Sequence, residues 1–331
     1  GRNGIAGRNV YEVDGGHCLL IHNPLTAWQK NPVIVNELRS RMRGRRAYLI
    51  LAAHLFLLSA LAFIIYLTVY EQTQTYNYYG GGFQQKLAAS STLGKSIFYG
   101  TVFLLLFIVS LVGPAFSSGA IVSEKDRQTY DLLVITALSG KEIVMGKLNA
   151  ILIFMGLLIL ATLPFQGMAY FFGGVAFGEV VISTLVLLLT ALLFCSLGLF
   201  VSSVARSTTI ANMINYAIVA PLLLGIPFFT FLFGVLSSGV FFDRLFNDPP
   251  FILAAPLTYG IFFFLSINPL SMAVTSEIFI QETGSYFFSV ERFFDYQMPI
   301  IAPWIIYVIF CLVVSYLLIR AAVRRVEKVG K

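Results

Sequence analysis

Six runs of about 20 or more apolar residues constrain this chain more than anything else in it. They cover 48–70, 97–120, 142–172, 180–204, 208–236 and 300–322. A run of that length spans the hydrocarbon core of a bilayer as an α-helix. With no water in that core, a spanning segment must satisfy its backbone internally, which leaves helices and closed barrels. Continuous rather than alternating apolar residues exclude the barrel. The expected fold is therefore an all-α integral membrane protein with six transmembrane helices. Composition agrees: 58% of residues are hydrophobic and 11% are charged, against about 25% charged in a soluble domain.

The net charge of +6 is gathered at the two ends. Arg39, Arg41, Arg43, Arg45 and Arg46 precede the first run. Arg320, Arg324, Arg325, Lys328 and Lys331 follow the last. Basic residues flanking spans favour the cytoplasmic side. Both termini are thus expected in the cytoplasm, which requires an even number of crossings. A seventh apolar run, 251–267, is short and broken by Pro256 and Gly260. It is expected to enter and leave on the outer side, within an outer, partly re-entrant segment 237–299. The chain divides on this reading into a cytoplasmic segment 1–30, an interfacial helix 31–46 and a six-span domain 47–331. No signal peptide is visible in 1–30, and the basic clusters have too little soluble surface around them to be a nucleic-acid site.

The interfacial helix rests on two agreeing signals. Asn31 and Pro32 suit the N-cap and first helical position. Ile34, Leu38 and Met42 recur every fourth residue, widened by Val35, with Glu37 and the arginines filling much of the rest. An arginine-rich amphipathic helix of this kind lies in the plane of a membrane surface, in contact with lipid.

Residues 123–147, SEKDRQTYDLLVITALSGKEIVMGK, interrupt the apolar pattern with a concentration of charge. Ser123 followed by Asp126, and Ser139 followed by Glu142, have capping-box spacing. Two helix starts so close together predict a short helix before the third span. Glu124 and Asp126 suit its first turn, and Leu132, Leu133 and Ile135 make its later part apolar. A short, half-apolar helix on the cytoplasmic face, in the hairpin 123–141, is suited to docking in a partner's groove.

Those residues resemble a motif of exporter-type ABC transporter permeases. Glu124, Thr129, Asp131, Leu132, Leu133, Thr136, Leu138, Ser139, Glu142, Ile143, Gly146 and Lys147 match it. Gln128 and Ala137 depart from it, where Gly and Pro are usual. The resemblance extends more loosely to the basic arm, the six spans and the segment beginning Asn268-Pro269. It implies a membrane-spanning permease subunit of an ATP-driven exporter in the cell inner membrane. It implies a dimer, with a second copy or a paralogous permease, in which each coupling helix docks on a separate ATP-binding subunit. The coupling residues would be Glu124, Lys125, Arg127, Thr129, Asp131, Leu132 and Leu133. ATP and magnesium would belong to that partner, so the chain itself would be no enzyme and would bind no cofactor. The alternative is a non-transporting accessory subunit of a larger membrane complex.

Other features carry less. The stretch ASSTLGKS, 89–96, has the spacing of a phosphate-binding loop with Ala in the first Gly position. No strand precedes it and a span follows it, so Ser90, Ser91 or Thr92 is expected to cap the second span and Lys95 to anchor it. His54 stands out as the ionisable residue inside a span, expected to bond a neighbouring helix rather than relay protons. Pro221, Gly225 and Pro227 mark a kink or gate in the fifth span. Asn212 and Asn215 are candidates for bonding across a dimer interface or at the headgroup level. Cys18, Cys195 and Cys311 are scattered, without metal or disulfide spacing. No catalytic or metal-binding set is found.

Overall fold

The computed structural model describes residues 45–78, 83–126, 140–229, 232, 251–293 and 296–329. The segment 1–30 and the expected interfacial helix 31–46, except for Arg45 and Arg46, lie outside the described residues. So do Arg127, Thr129, Asp131, Leu132 and Leu133.

Among the described residues, six helices are long and apolar enough to cross a membrane. In chain order the elements are α1 (Arg45–Tyr78), α2 (Phe83–Ser118), the short α3 (Val122–Asp126), α4 (Gly140–Phe172), α5 (Phe177–Val204) and α6 (Thr208–Ala220). A π turn, Pro221–Gly225, continues α6 toward Phe229. Then come α7 (Phe251–Ile267), α8 (Pro269–Thr283), the strands β1 (Phe288–Phe293) and β2 (Tyr296–Ile301), and α9 (Pro303–Val329). The expected spans match these helices to within a few residues, except where helices run on past the apolar run. Thus α1 and α2 leave only residues 79–82 between them, not the long loop that 71–96 suggests.

The bundle is organised around α4 and α5. α5 packs along α2 and α9, and α2 packs along α4. In its most apolar stretch α4 is 61% buried and α1 only 11%, so α4 is central and α1 peripheral with most of its surface free for lipid. Leu105, Leu106, Leu148, Ile151, Met155, Leu158, Leu187 and Cys195 form the core where these helices meet. Lipid is as apolar as leucine, so close packing rather than water exclusion must hold such helices together. Gly198 supplies one such contact. A Cβ there would lie 1.8 Å from Ser117 Oγ and 2.8 Å from Ser117 Cβ, so α5 approaches α2 more closely than any side chain allows. Thr190 of α5 and the fully buried Tyr307 of α9 add a hydroxyl–hydroxyl bond of 2.9 Å.

Two expectations need correction here. The stretch 89–96 is interior to α2, which begins at Phe83, so it is neither a loop nor a helix cap. Ser91 and Thr92 donate to Ala88 O one turn back (both 2.9 Å), and Ser90 Oγ donates across to Phe172 O on α4 (2.9 Å). Second, the segment after α8 is a β-hairpin, which the sequence reading lacks. β1 and β2 pair antiparallel, Phe288 opposite Ile301 and Phe293 opposite Tyr296. Gly284, with φ of 64°, ends α8 in the left-handed conformation that only glycine adopts freely. Tyr259 OH donates to Pro299 O (3.0 Å) and Trp304 Nε1 to Tyr286 O (2.7 Å), tying the hairpin to α7 and α9.

Gly198→Ala is expected to lower thermal stability by about 1–3 kcal/mol through overpacking. Gly156→Ala, where an added Cβ meets nothing within 4 Å, is the matched control. Melting of the two purified variants in detergent checks this.

Candidate functional site: the polar junction at α3

The charged stretch after α2 folds into a single turn of helix, α3, whose side chains reach three other helices. α2 ends at Ser118 and α3 begins at Val122, so Ser123 lies inside the helix and is not its N-cap. The cap comes from elsewhere. The buried Ser202 Oγ of α5 accepts hydrogen bonds from Ile121 N (2.9 Å) and Val122 N (3.0 Å). A helix N-terminus leaves its first N–H groups without helical partners, and a hydroxyl from another helix serves as well as a local one.

Three consecutive charged residues then take three different partners. Glu124 Oε1 meets Lys147 Nζ of α4 at 2.6 Å. Lys125 Nζ donates to Ser203 O (3.0 Å), at the carbonyl-rich end of α5. Asp126 Oδ2 accepts from Thr208 N (3.1 Å) and Thr208 Oγ1 (2.6 Å), at the amide-rich start of α6. Successive helical residues point about 100° apart, so neighbours in sequence fan out to different helices. The signs fit: the cation lies at a helix C-terminus and an anion at a helix N-terminus, where each meets the opposite partial charge. Ser207, the N-cap of α6, adds its own hydroxyl bond to Ile210 N.

Lys147 is the member that sequence reasoning underrates. It is only 1% exposed, inside a membrane-length helix, so His54 does not stand alone as an ionisable span residue. A charge there is costly without a partner and marks a site of function or architecture. The Gly-Lys pair at 146–147 was visible in sequence, but its place about two turns into the helix that starts at Gly140 was not. His54 itself is 2% exposed against α4, near the Leu158 backbone, without a hydrogen bond of good geometry among the described residues.

The same end of the bundle carries the basic C-terminus. The start of α4 touches the end of α9, where a Cβ on Gly140 would meet Glu327 Cγ at 2.8 Å. Arg325 is near enough to Lys125 to act on it electrostatically. Of the expected coupling residues, the described Glu124 and Lys125 point into the bundle rather than away from it. Asp126, outside that set, does the same work.

The kink in the fifth span has a local explanation. Proline lacks an N–H, so Pro227 leaves the carbonyl four residues back, Leu223, without its α-helical partner. In the π geometry of Pro221–Gly225, the carbonyl five back, Leu222, loses its partner to the same residue. Asn268 Nδ2 donates to both, at 3.1 Å to Leu223 O and at shorter range to Leu222 O. Its Oδ1 accepts from Leu270 N (2.8 Å) and Ser271 N (2.9 Å), capping α8. One fully buried amide therefore serves the break in α6 and the start of α8 together. Asn212 and Asn215 do not fit a dimer contact. Ser118 Oγ donates to Asn212 Oδ1 within the chain, and Asn215 is fully buried.

Six apolar helices wrapped around a polar junction at one end define a multi-pass integral membrane protein. A family model described as ABC-2 family transporter protein matches residues 32–324, and the chain belongs to that family. It is accordingly the permease component of an ABC transporter. No curated protein matches the chain.

Lys147→Met is expected to destabilise by about 3–5 kcal/mol, because it strands Glu124 without its counter-charge. The double variant Lys147→Met/Glu124→Leu should recover much of that loss; a double-mutant cycle of melting temperatures measures it. Asn268→Asp should keep the α8 cap but turn a carboxylate on two carbonyls. It should therefore melt below Asn268→Ser, which leaves both carbonyls merely unbonded.

Proposed function

We propose that the chain is one of two membrane halves of an ATP-driven exporter. Two copies, or this chain and a paralogous permease, pair in the cell inner membrane with both termini cytoplasmic. Separate ATP-binding subunits, which hold ATP and magnesium, dock on the hairpin 123–141. The ATPase contact is made by Arg127, Thr129, Asp131, Leu132 and Leu133. Glu124, Lys125 and Asp126 form the root of that contact. The family membership supports this reading, since permeases of this kind work with an ATP-binding subunit.

The observation that carries it is the three-way anchoring of α3. A push on the hairpin reaches α4 through Glu124–Lys147, α5 through Lys125 and Ser202, and α6 through Asp126–Thr208. α2 is continuous with α3 except for a three-residue turn. Four spans therefore receive the same displacement. The break at Pro221–Pro227 is the point in α6 where that displacement bends the helix, with Asn268 passing it on to α8. The basic residues clustered at the junction end support a cytoplasmic side for it.

The test is reconstitution of the chain with its co-purified ATP-binding subunit in proteoliposomes. Asp131→Lys should leave the assembly's melting unchanged while substrate no longer stimulates ATP hydrolysis. Unchanged stimulation in that variant sinks the docking role. Purification of the chain in a stoichiometric membrane complex that lacks any ATPase sinks the exporter reading as a whole.

A further inference from the structure

At the opposite end of the bundle from α3, a half-open cleft lies between α2, α5 and α8, beside Trp304 at the start of α9. Its walls are largely apolar: Phe98, Phe103, Met272 and Trp304 face into it. Two carboxylates, Glu179 and Glu277, line the same small space of about 70 Å³, and the Tyr99 hydroxyl lies within reach of both. Tyr99 OH is 3.5 Å from Glu179 Oε2, the outer limit of a hydrogen bond. Gln281 Nε2 donates to Glu277 Oε1 from one turn along α8. Lys95, which does not line the cleft, is near enough to act on Glu179 electrostatically.

The independent sign is Ser276. Most hydroxyls on the helices of this bundle, with Ser315 on α9 an exception, bond back to a carbonyl three or four residues earlier, as Ser110, Thr184, Ser266 and Thr275 do. Ser276 does not. It is 8% exposed, it lines the cleft, and its Oγ has no hydrogen-bond partner. A buried polar atom left unpaired costs free energy, and here the neighbouring cleft is where a partner would sit.

We propose that this cleft binds a primary ammonium group carried on an apolar stem. Two half-buried carboxylates lining one small space repel when both are ionised, and a cation between them relieves that repulsion. An ammonium has three N–H donors, enough for Glu179, Glu277 and the Ser276 hydroxyl. The aromatic faces of Phe98, Phe103 and Trp304 attract the same cation and cover its first methylenes. The space takes an ammonium head with its first carbons, and the rest of the stem leaves through the open side. Among the described residues no three metal-ligating groups come together, so the donor set suits an organic cation better than a metal ion. Binding here needs neither ATP nor a partner subunit, so it stands or falls apart from the coupling role of α3.

The full chain in phosphatidylcholine nanodiscs tests it, in a Trp28→Phe background that leaves Trp304 as the sole tryptophan reporter. Hexylammonium should change the Trp304 emission saturably, and hexanol should not. Glu277→Gln should weaken hexylammonium about tenfold, and Ser276→Ala a few-fold, with the elution profile unchanged. Hexanol matching hexylammonium, or both variants binding like the parent, overturns the proposal. A second arm finds the source. If phosphatidylethanolamine in the disc competes with hexylammonium, the occupant is a lipid headgroup; if it does not, the site takes a soluble amine. Both results keep the site.

Discussion

Inside an apolar bundle, a backbone N–H or C=O that loses its helical partner finds no water to replace it. Three breaks in the described helices are built around that constraint. The turn between α2 and α3 frees the amides of Ile121 and Val122, and Ser202 takes both. The start of α6 frees the amide of Thr208, and Asp126 takes it. Pro227 frees the carbonyls of Leu222 and Leu223, and Asn268 takes both. In every case the partner is a side chain from a different element. The repairs are therefore also the joints of the bundle, and polar residues that look isolated in sequence are where the helices are tied together.

The same constraint explains why the charged residues of α3 are tied to neighbouring helices. Glu124, Lys125 and Asp126 each answer a buried charge or a helix end on a neighbouring span. Ion pairs buried in such surroundings gain little net stability over a hydrophobic replacement, yet losing one partner is costly. The Glu124–Lys147 pair thus fixes a geometry more than it adds strength.

Much of the candidate site was legible, in an uneven way. The matching residues around Glu124 and Lys147 pointed to the right stretch, because charge stands out against apolar sequence. The direction of those charges was not legible. Ser123 has capping-box spacing but sits within α3, because a hydroxyl 81 residues away was nearer to the free amides. Asn268 could be read as the cap of α8 from the proline after it. Its second role, on carbonyls 45 and 46 residues earlier, could not. The β-hairpin was missed because strands of six residues in a Phe-rich, Glu-containing segment carry no alternation strong enough to separate them from loop. The cleft at Tyr99 was missed because Glu179 and Glu277 are nearly 100 residues apart, so no local spacing joins them.

Sequence alone determined the number and length of the spans, the basic ends and the absence of a working phosphate loop at 89–96. These follow from hydrophobic length and local helix continuity, which neighbouring residues settle among themselves. Tertiary structure decided the partners: Lys147 for Glu124, Ser202 for the α3 amides, Asn268 for the carbonyls freed by Pro227, and the meeting of Glu179 with Glu277. In a medium that offers no water, a backbone group freed from its own helix must find its match within the protein. The match is set by which helices lie side by side, and no spacing along the chain records that.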